Sequence, residues 1–334
     1  MPTRRSRRIP LFATLLAGAP VGVLIAWPQA FGAELTPIIA QLLAFRGLVA
    51  IVLLVLAGGA AVVAVLRRRW GVAAGVAIIL GATSLTSGAI LSSRGAGEAV
   101  PDGDLVVVSW NTLGGAVSPE SIAELIVETD ADIVTLPETD AVAAAETARI
   151  VSLSGREMWA DTAYGEAGDS WIPTSVLIAA DLGEYRVDEA AGSTPGLPSG
   201  VWRPVNGIRP TIVAAHPLPP LLEDMAGWRA GLEWVATQCG EPDVIVAGDL
   251  NATIDHLSAF GRGESLMGDC RDAASESGSA AAGSWPTSLP VWLASPIDHV
   301  LVGSAWAVHE VTVDSSFDDR GSDHRPIIAH LRRN

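Results

Sequence analysis

Apolar residues fall into two regimes along this chain. Residues 9–27, 47–66 and 71–91 form long, nearly uninterrupted apolar runs. Each approaches the roughly 20 residues that a helix needs to cross a bilayer, so residues 1–91 read as a membrane region with three transmembrane helices. Residues 92–104 are rich in Gly, Ser, Pro and Asp and read as a linker. From residue 105 to 334 the apolar runs shorten to strand length and alternate with helical patterns. Strands are expected at 105–110, 133–136, 175–179, 208–214, 244–247, 296–302 and 327–331. Helices are expected from Ser118, which suits an N-cap before Pro119, and over 140–154 and 222–238.

The run 244–247 is wholly apolar, as a strand buried on both faces is. Gly248 then lets the backbone pass closely. In an extended chain Asp249 and Asn251 point the same way while Leu250 turns back into the core. A carboxylate and an amide at the end of a buried strand form a polar platform, able to steer a water and to donate to an oxyanion. The same Gly-Asp-Leu-Asn also suits a strand that closes in an Asx turn.

Charge divides the chain at the same place. Residues 1–96 hold nine arginines and one acidic residue, Glu34, a net +8; residues 97–334 hold the other 12 arginines and 36 acidic residues, a net −24. The chain has no lysine, which excludes Schiff-base and P-loop chemistry. Arg4, Arg5, Arg7 and Arg8 precede the first apolar run, and Arg67, Arg68 and Arg69 separate the second from the third. The positive-inside rule puts both basic segments in the cytoplasm. Three crossings then make this a multi-pass cell-membrane protein with residues 92 onward outside the cytoplasm. The first run also fits a cleaved signal peptide, with the small residues Gly32 and Ala33 near its end. Gly71 and Gly75 make a small-residue pair suited to helix packing. The 13-residue linker spans at most about 43 Å at ~3.3 Å per residue, so the outer domain stays near the membrane. That domain is long enough for one full core.

Candidate chemistry collects just past the expected strand ends. Asn111 follows 105–110, Glu138 follows 133–136, His216 follows 208–214, and Asp249 follows the central strand. A right-handed strand–helix–strand crossover leaves Asn111 and Glu138 on one sheet edge. Their oxygens suit a hard divalent cation that keeps most of its waters, as Mg²⁺ does. In the strand 296–302 only one of Asp298 and His299 faces a given side. His324, in Gly-Ser-Asp-His-Arg-Pro, offers an imidazole to a phosphoryl group, and Asp298 could hold its tautomer. Each position taken alone also suits an ordinary loop or core residue.

The order Trp-Asn, Pro-Glu, His, Gly-Asp-Leu-Asn, Ile-Asp-His, Ser-Asp-His resembles the endonuclease/exonuclease/phosphatase superfamily through residues 105–331. The resemblance implies an α/β fold, a four-layer α/β sandwich with two packed β-sheets, here preceded by transmembrane helices. It implies metal-assisted hydrolysis of a phosphodiester or phosphomonoester by an in-line water, with Mg²⁺ or Mn²⁺. Glu138 corresponds to the main metal ligand, with Asn111 beside it and Asp323 near the metal. Asp249 corresponds to the group that orients or deprotonates the water. Asn251 corresponds to the residue that steadies the nucleophile and phosphoryl oxygens. His324, paired with Asp298, corresponds to the phosphate-contacting histidine, and His216 to a second histidine and candidate general acid.

Two departures qualify the match. A tyrosine counterpart of the nuclease phosphate contact is missing, so Arg203 and Arg209 become the candidate phosphate contacts, with Trp285 on the site rim. His256, His299, His309 and His330 read as structural, with His256 closest to the Asn251 motif. The excess of acidic groups disfavours a general nucleic-acid binder, because such affinity comes from Lys and Arg on phosphates. A site tethered outside the cell favours a lipid headgroup, a phosphorylated envelope metabolite or scavenged extracellular nucleic acid as substrate; a general phosphodiesterase or phosphomonoesterase ranks first, an extracellular nuclease second, and an inactive binding domain last. The lipid bilayer is the other expected partner; no protein partner is evident. Cys239 and Cys270 flank the central strand and its following segment, in the half placed outside, where disulfides persist. A structural disulfide between them is expected.

Overall fold

The computed structural model describes residues 4–67, 71–95, 103–165, 172–206 and 209–334. Arg68 and Arg69 of the basic turn, residues 96–102 of the expected linker and residue 208 of an expected strand lie outside the described residues. The chain divides into two compact units, Met1–Arg94 and Gly95–Asn334.

The first unit is helical. It comprises α1 (Arg4–Ala26), α2 (Ile39–Ala44), α3 (Arg46–Leu66) and α4 (Val72–Arg94). Helices α3 and α4 are long and apolar enough to cross a membrane. The apolar part of α1, Pro10–Ala26, is shorter, and Pro10 and Pro20 lie within that helix. Helices α1 and α4 approach closely through glycine. A Cβ on Gly18 would lie 2.3 Å from an Ile79 methyl, and one on Gly75 would lie 2.8 Å from Thr14 Cβ. Gly75 therefore serves the packing role its small-residue spacing suggests. Arg46 is buried and donates from Nη1 to the carbonyl of Ala26 at the end of α1 (2.6 Å). Apolar side chains such as Val55, Leu56 and Leu85 face outward.

The second unit is a sandwich of two six-stranded mixed sheets. Its first half runs β1 (Leu105–Ser109), α5 (Pro119–Thr129), β2 (Ile133–Pro137), α6 (Ala141–Ser152), β3 (Met158–Ala163) and β4 (Thr174–Ala179). There follow β5 (Tyr185–Val187), β6 (Gly200–Pro204), β7 (Thr211–Ala215), α7 (Met225–Gln238) and β8 (Val244–Asp249). Short pieces come next: α8 (Ile254–Leu257), β9 (Phe260–Gly261), β10 (Met267–Gly268), β11 (Arg271–Asp272) and α9 (Ala273–Ser277). The chain closes with β12 (Asp298–Val302), β13 (Trp306–Val313) and β14 (Ile327–Arg333).

One sheet has the order β13-β14-β1-β2-β4-β3 and the other β11-β12-β8-β7-β6-β5. Each centres on a parallel pair joined by a helix, β1–α5–β2 and β7–α7–β8, as the pattern predicted. Their apolar faces meet in one core that includes Val107, Ile133, Leu177, Ile212, Ile245 and Val300. Helices α5 and α6 pack outside the first sheet and α7 outside the second, completing four layers. Ser118 and Asp140 cap α5 and α6 by accepting from the backbone N–H of Ser121 and Ala143. Asp224 does the same for α7, so this helix starts later than its apolar pattern suggested. The short strands β3, β5 and β6, and the edge strand β13, carry charged or exposed residues among their apolar ones, which hid them from the pattern.

The topology decides where the polar residues go. The parallel strands β1, β2, β7 and β8 end at one edge of the sandwich. Their antiparallel neighbours β14 and β12 begin there, with Ile327 opposite Ser109 and Asp298 opposite Asp249. Gly248 is required at that edge, because a Cβ there would lie 1.9 Å from the carbonyl oxygen of Ala215 on β7. Cys239 and Cys270 form the expected disulfide, with Cα atoms 5.3 Å apart; it ties the end of α7 to the segment before β11.

Candidate active site

Asn111 lies just past β1, Glu138 just past β2, His216 just past β7 and Asp249 at the end of β8, so these strand ends converge from both sheets. Asn111 is the bridge. Its Nδ2 donates to Glu138 Oε1 (3.1 Å) and to Asp249 Oδ2 (3.1 Å), while Leu113 N donates to its Oδ1 (2.9 Å). Glu138 adopts φ 65° and Asn251 φ 48°, left-handed conformations that cost energy for residues with a Cβ. Both bends fall where a strand must stop and turn a polar side chain into the site. Asn251 N donates to Asp249 Oδ1 (2.9 Å), closing the Asx turn over the platform. Its Nδ2 donates to the carbonyl of Pro217 (3.1 Å).

The antiparallel strands add the second half. His324 Nδ1 lies 2.9 Å from Asp298 Oδ2, and its Nε2 lies 3.7 Å from Asp249 Oδ2. Ser322 Oγ donates to the carbonyl of Asn111 (2.6 Å) and accepts from His324 N (3.0 Å). Trp110 Nε1 donates to the carbonyl of His324 (2.8 Å). These bonds fasten the loop before β14 to the end of β1. Asp323 stands at the rim, where its Oδ2 accepts from Trp285 Nε1 (2.8 Å). The Trp285 ring lies 6.3 Å from the His324 ring, centroid to centroid.

Burial sets the protonation states. Burial pushes the Asp249 carboxyl up to about 7, against the pull of the His324 charge. Burial pulls on His324 in the opposite sense, but the carboxylates of Asp298 and Asp249 outweigh it and raise the imidazole to about 9. His216 is fully buried, with Nε2 3.8 Å from both Glu138 Oε1 and Asp249 Oδ2. Burial, reinforced by the His324 charge, lowers it to about 3. At neutral pH His324 is therefore the cationic imidazole and His216 the neutral one.

The donor set fits a hard divalent cation at Glu138. Its carboxylate accepts from Asn111 and keeps lone pairs to spare, and Asp323 Oδ1 is buried without a hydrogen-bond partner. Asn111 turns its NH₂ to the carboxylates and its oxygen to Leu113 N, which leaves that oxygen a second lone pair for the ligand role expected of it. Asp249, Asp298 and His324 also bring one ligand atom each within 4.8 Å of one another. Asp298 and His324 already satisfy each other there, and the charge on His324 opposes a cation at that cluster and, 4.0 Å from Asp323 Oδ1, at Asp323 as well, so Glu138 fits best.

Two sequence candidates lie elsewhere. Arg203, near the end of β6, pairs with Asp188 (2.6 Å) and Glu241 (2.8 Å). Arg209, just before β7, donates to the carbonyl of Asp181 (3.3 Å). Both sit at the edge opposite the site, because β7 starts there and β6 runs antiparallel to it. Arg203 is committed to carboxylates, so neither arginine reaches the site. Conversely, Ser322, Trp110 and Ser199 escaped notice as site supports; Ser199 Oγ accepts from His216 N (2.7 Å). Ser322, two residues before His324, and Trp110, in the Trp-Asn pair, lay in recognisable motifs; Ser199 carried no such signal. His256 and His299 are buried and structural; His256 Nδ1 accepts from Thr253 N (2.8 Å) in the turn after Asn251.

The profile of the Endonuclease/Exonuclease/phosphatase family matches residues 108–324. No curated protein matches the chain. The endonuclease/exonuclease/phosphatase from Beutenbergia cavernae DSM 12333 is similar in structure with a TM-score of 0.52 and 18% identity, over 70% of this chain and 72% of that one. TDP2 of D. rerio, complexed with a single-strand DNA product, is similar with a TM-score of 0.51 and 15% identity, over 68% and 98%. The endonuclease/exonuclease/phosphatase from Bacteroides vulgatus is similar with a TM-score of 0.50 and 14% identity, over 69% and 99%. At these identities the likeness concerns the fold.

Proposed function

Because this chain belongs to the endonuclease/exonuclease/phosphatase family, we propose that it is a membrane-anchored phosphoesterase that uses a divalent cation, with its catalytic unit outside the cytoplasm. The observation that carries this reading is the convergence of Glu138, Asp249, Asp298 and His324 from both sheets on one edge. In this reading Glu138 and Asp323 hold Mg²⁺, which supplies charge for the phosphoryl oxygens and a more acidic water. Asp249 orients the attacking water and accepts its proton. Asn251 and Asn111 fix that carboxylate through hydrogen bonds. His324, held by Asp298, offers its charged Nε2–H to the phosphate. His216, kept neutral, serves as a hydrogen-bond donor rather than as the general acid that its family position suggested.

The substrate we favour is a phosphate ester with an apolar portion, a lipid headgroup or an envelope metabolite. Leu113, Leu221, Leu222 and Trp292 are exposed on loops that leave or enter the site edge. The unit's net charge and the remote placement of Arg203 and Arg209 disfavour a polynucleotide, since phosphate contacts dominate that affinity. A nuclease is the alternative reading.

The test is hydrolysis of a chromogenic phosphodiester by the full chain in detergent, with and without Mg²⁺. Activity should require the metal, and Glu138→Gln should remove most of it while leaving the circular dichroism spectrum unchanged. Full activity of Glu138→Gln at saturating Mg²⁺ would refute the metal role. Orientation has its own test. A reporter fused after Gly95 is expected to read extracytoplasmic, and a cytoplasmic readout would remove one of the three spans.

A further inference from the structure

The turn that carries Asn251 is gripped from behind. Asn251 and Ala252 follow β8, and their two consecutive carbonyls each accept from a buried side chain. Trp228 Nε1 on α7 donates to the carbonyl of Asn251 (3.1 Å). His299 Nε2 on β12 lies 2.8 Å from the carbonyl oxygen of Ala252, and its Nδ1 lies 2.8 Å from Asp272 Oδ2. A carbonyl and a carboxylate only accept, so this imidazole donates from both nitrogens. Trp228 and Ala252 are fully buried and His299 nearly so. Asp272 is held in turn by Ser275 N, which donates to its Oδ1 (2.7 Å). Adjacent strand residues point to opposite faces, so β12 gives Asp298 to the site and His299 to its backing.

We propose that Trp228 and His299 are positioning residues, a two-donor clamp that fixes the left-handed turn at Asn251 and thereby aims its amide at the Asp249 carboxylate. The φ of 48° at Asn251 is left-handed, a region that Asn enters more readily than other residues with a Cβ, so the buried donors select this turn among those open to it. Asn251 also bonds Asp249 through its backbone N–H (2.9 Å), so a turn that relaxes moves the amide and the carboxylate together. This rests on the reading of Asn251 and Asp249 as members of a phosphoesterase site.

The experiment is a double-mutant cycle on the full chain, with the chromogenic phosphodiester as probe. Trp228→Phe keeps a ring and deletes one donor; His299→Gln deletes the doubly bonded imidazole. Each is expected to lower kcat by about 10–100-fold with KM changed less than about twofold, the size of effect that a misplacement of order 1 Å produces. In an Asn251→Ala background the same replacements should cost at least about threefold less than in wild type, because the side-chain amide is gone and only the backbone bond to Asp249 is left to disturb. Equal losses in both backgrounds, or an unchanged kcat in Trp228→Phe, would overturn the proposal. If His299→Gln does not fold, Trp228→Phe decides alone. Hydrogen exchange gives a readout independent of activity. Amides of residues 250–254 should exchange faster in Trp228→Phe while those of 105–109 do not change, and no difference between the two segments overturns the clamp. If the chain hydrolyses no phosphate ester, the exchange result still stands or falls separately.

Discussion

Replacing Asp249 with Asn is expected to lower kcat by about 10²–10⁴-fold, the usual cost of losing a positioned base, while the fold is retained. The fold should survive because Asn keeps the shape of the side chain and one oxygen to accept from Asn251 N, the bond that closes the turn. What is lost is the carboxylate that faces Asn111 Nδ2 and stands 3.7 Å from His324 Nε2. The wild-type pH profile should carry the mark of the same groups. Asp249 must be ionised to act, so kcat/KM should rise with pH through about 7. His324 must be protonated, so it should fall through about 9. Raising Mg²⁺ should move the acid limb to lower pH, because a nearby cation favours the ionised carboxylate. Kinetics of Asp249→Asn and wild type on one substrate from pH 5 to 10 would check both. A near-wild-type kcat for Asp249→Asn would remove this residue from the chemistry.

The second large effect is expected in stability, away from the reacting groups. Asp272 and His299 form a buried pair in which burial opposes both charges and each partner overcomes it. The Asp272 carboxyl is held below its usual range and the His299 imidazole above its own. Asp272→Ala would leave that imidazole buried without its partner and would also remove the cap on α9. Breaking one side of such a pair costs about 3–5 kcal/mol. The raised His299 value stabilises the fold fully below about 6.5, and that contribution is lost as pH rises through the folded value. The lowered Asp272 value stabilises it fully above about 3.9, and that contribution is lost as pH falls through the folded value. Urea denaturation of wild type and Asp272→Ala should therefore differ most between about pH 4 and 6.5. A difference below about 1 kcal/mol in that window, the range of exposed ion pairs, would show that the pair is not an ion pair in the folded protein.

Much of this architecture is written in local pattern. The apolar runs locate the central strands β1, β2, β7 and β8 because burial on both faces demands uninterrupted apolar residues, and they locate α3 and α4 because helices long and apolar enough to cross a membrane need such runs. The polar residues just past those runs, Asn111, Glu138, His216 and Asp249, follow from the same pattern once the strands are parallel. Strand direction alone then carries them to one edge. Cys239 and Cys270 were legible for a similar reason, since both flank the central strand.

Other features depended on packing between distant segments, to which local pattern is blind. Arg203 and Arg209 have the right chemistry for phosphate, yet strand direction carries them to the far edge, where Arg203 meets Asp188 and Glu241. Asn111 is legible as a polar residue past a strand end, but only the stacking of the sheets makes its amide a donor to a carboxylate from each of them, Glu138 and Asp249. Trp110 and His324 are 214 residues apart in sequence, and only the pairing of β1 with β14 brings them together. Alternation along the strand separates Asp298 from His299 and the resemblance assigns Asp298 to His324, but only the fold shows that the pleat of β12 sends His299 to Asp272 and Ala252. Local sequence determined which segments are strands and which residues end them. The stacking of two sheets decided which of those residues meet, because contacts between strands depend on pairing and pleat rather than on neighbours along the chain.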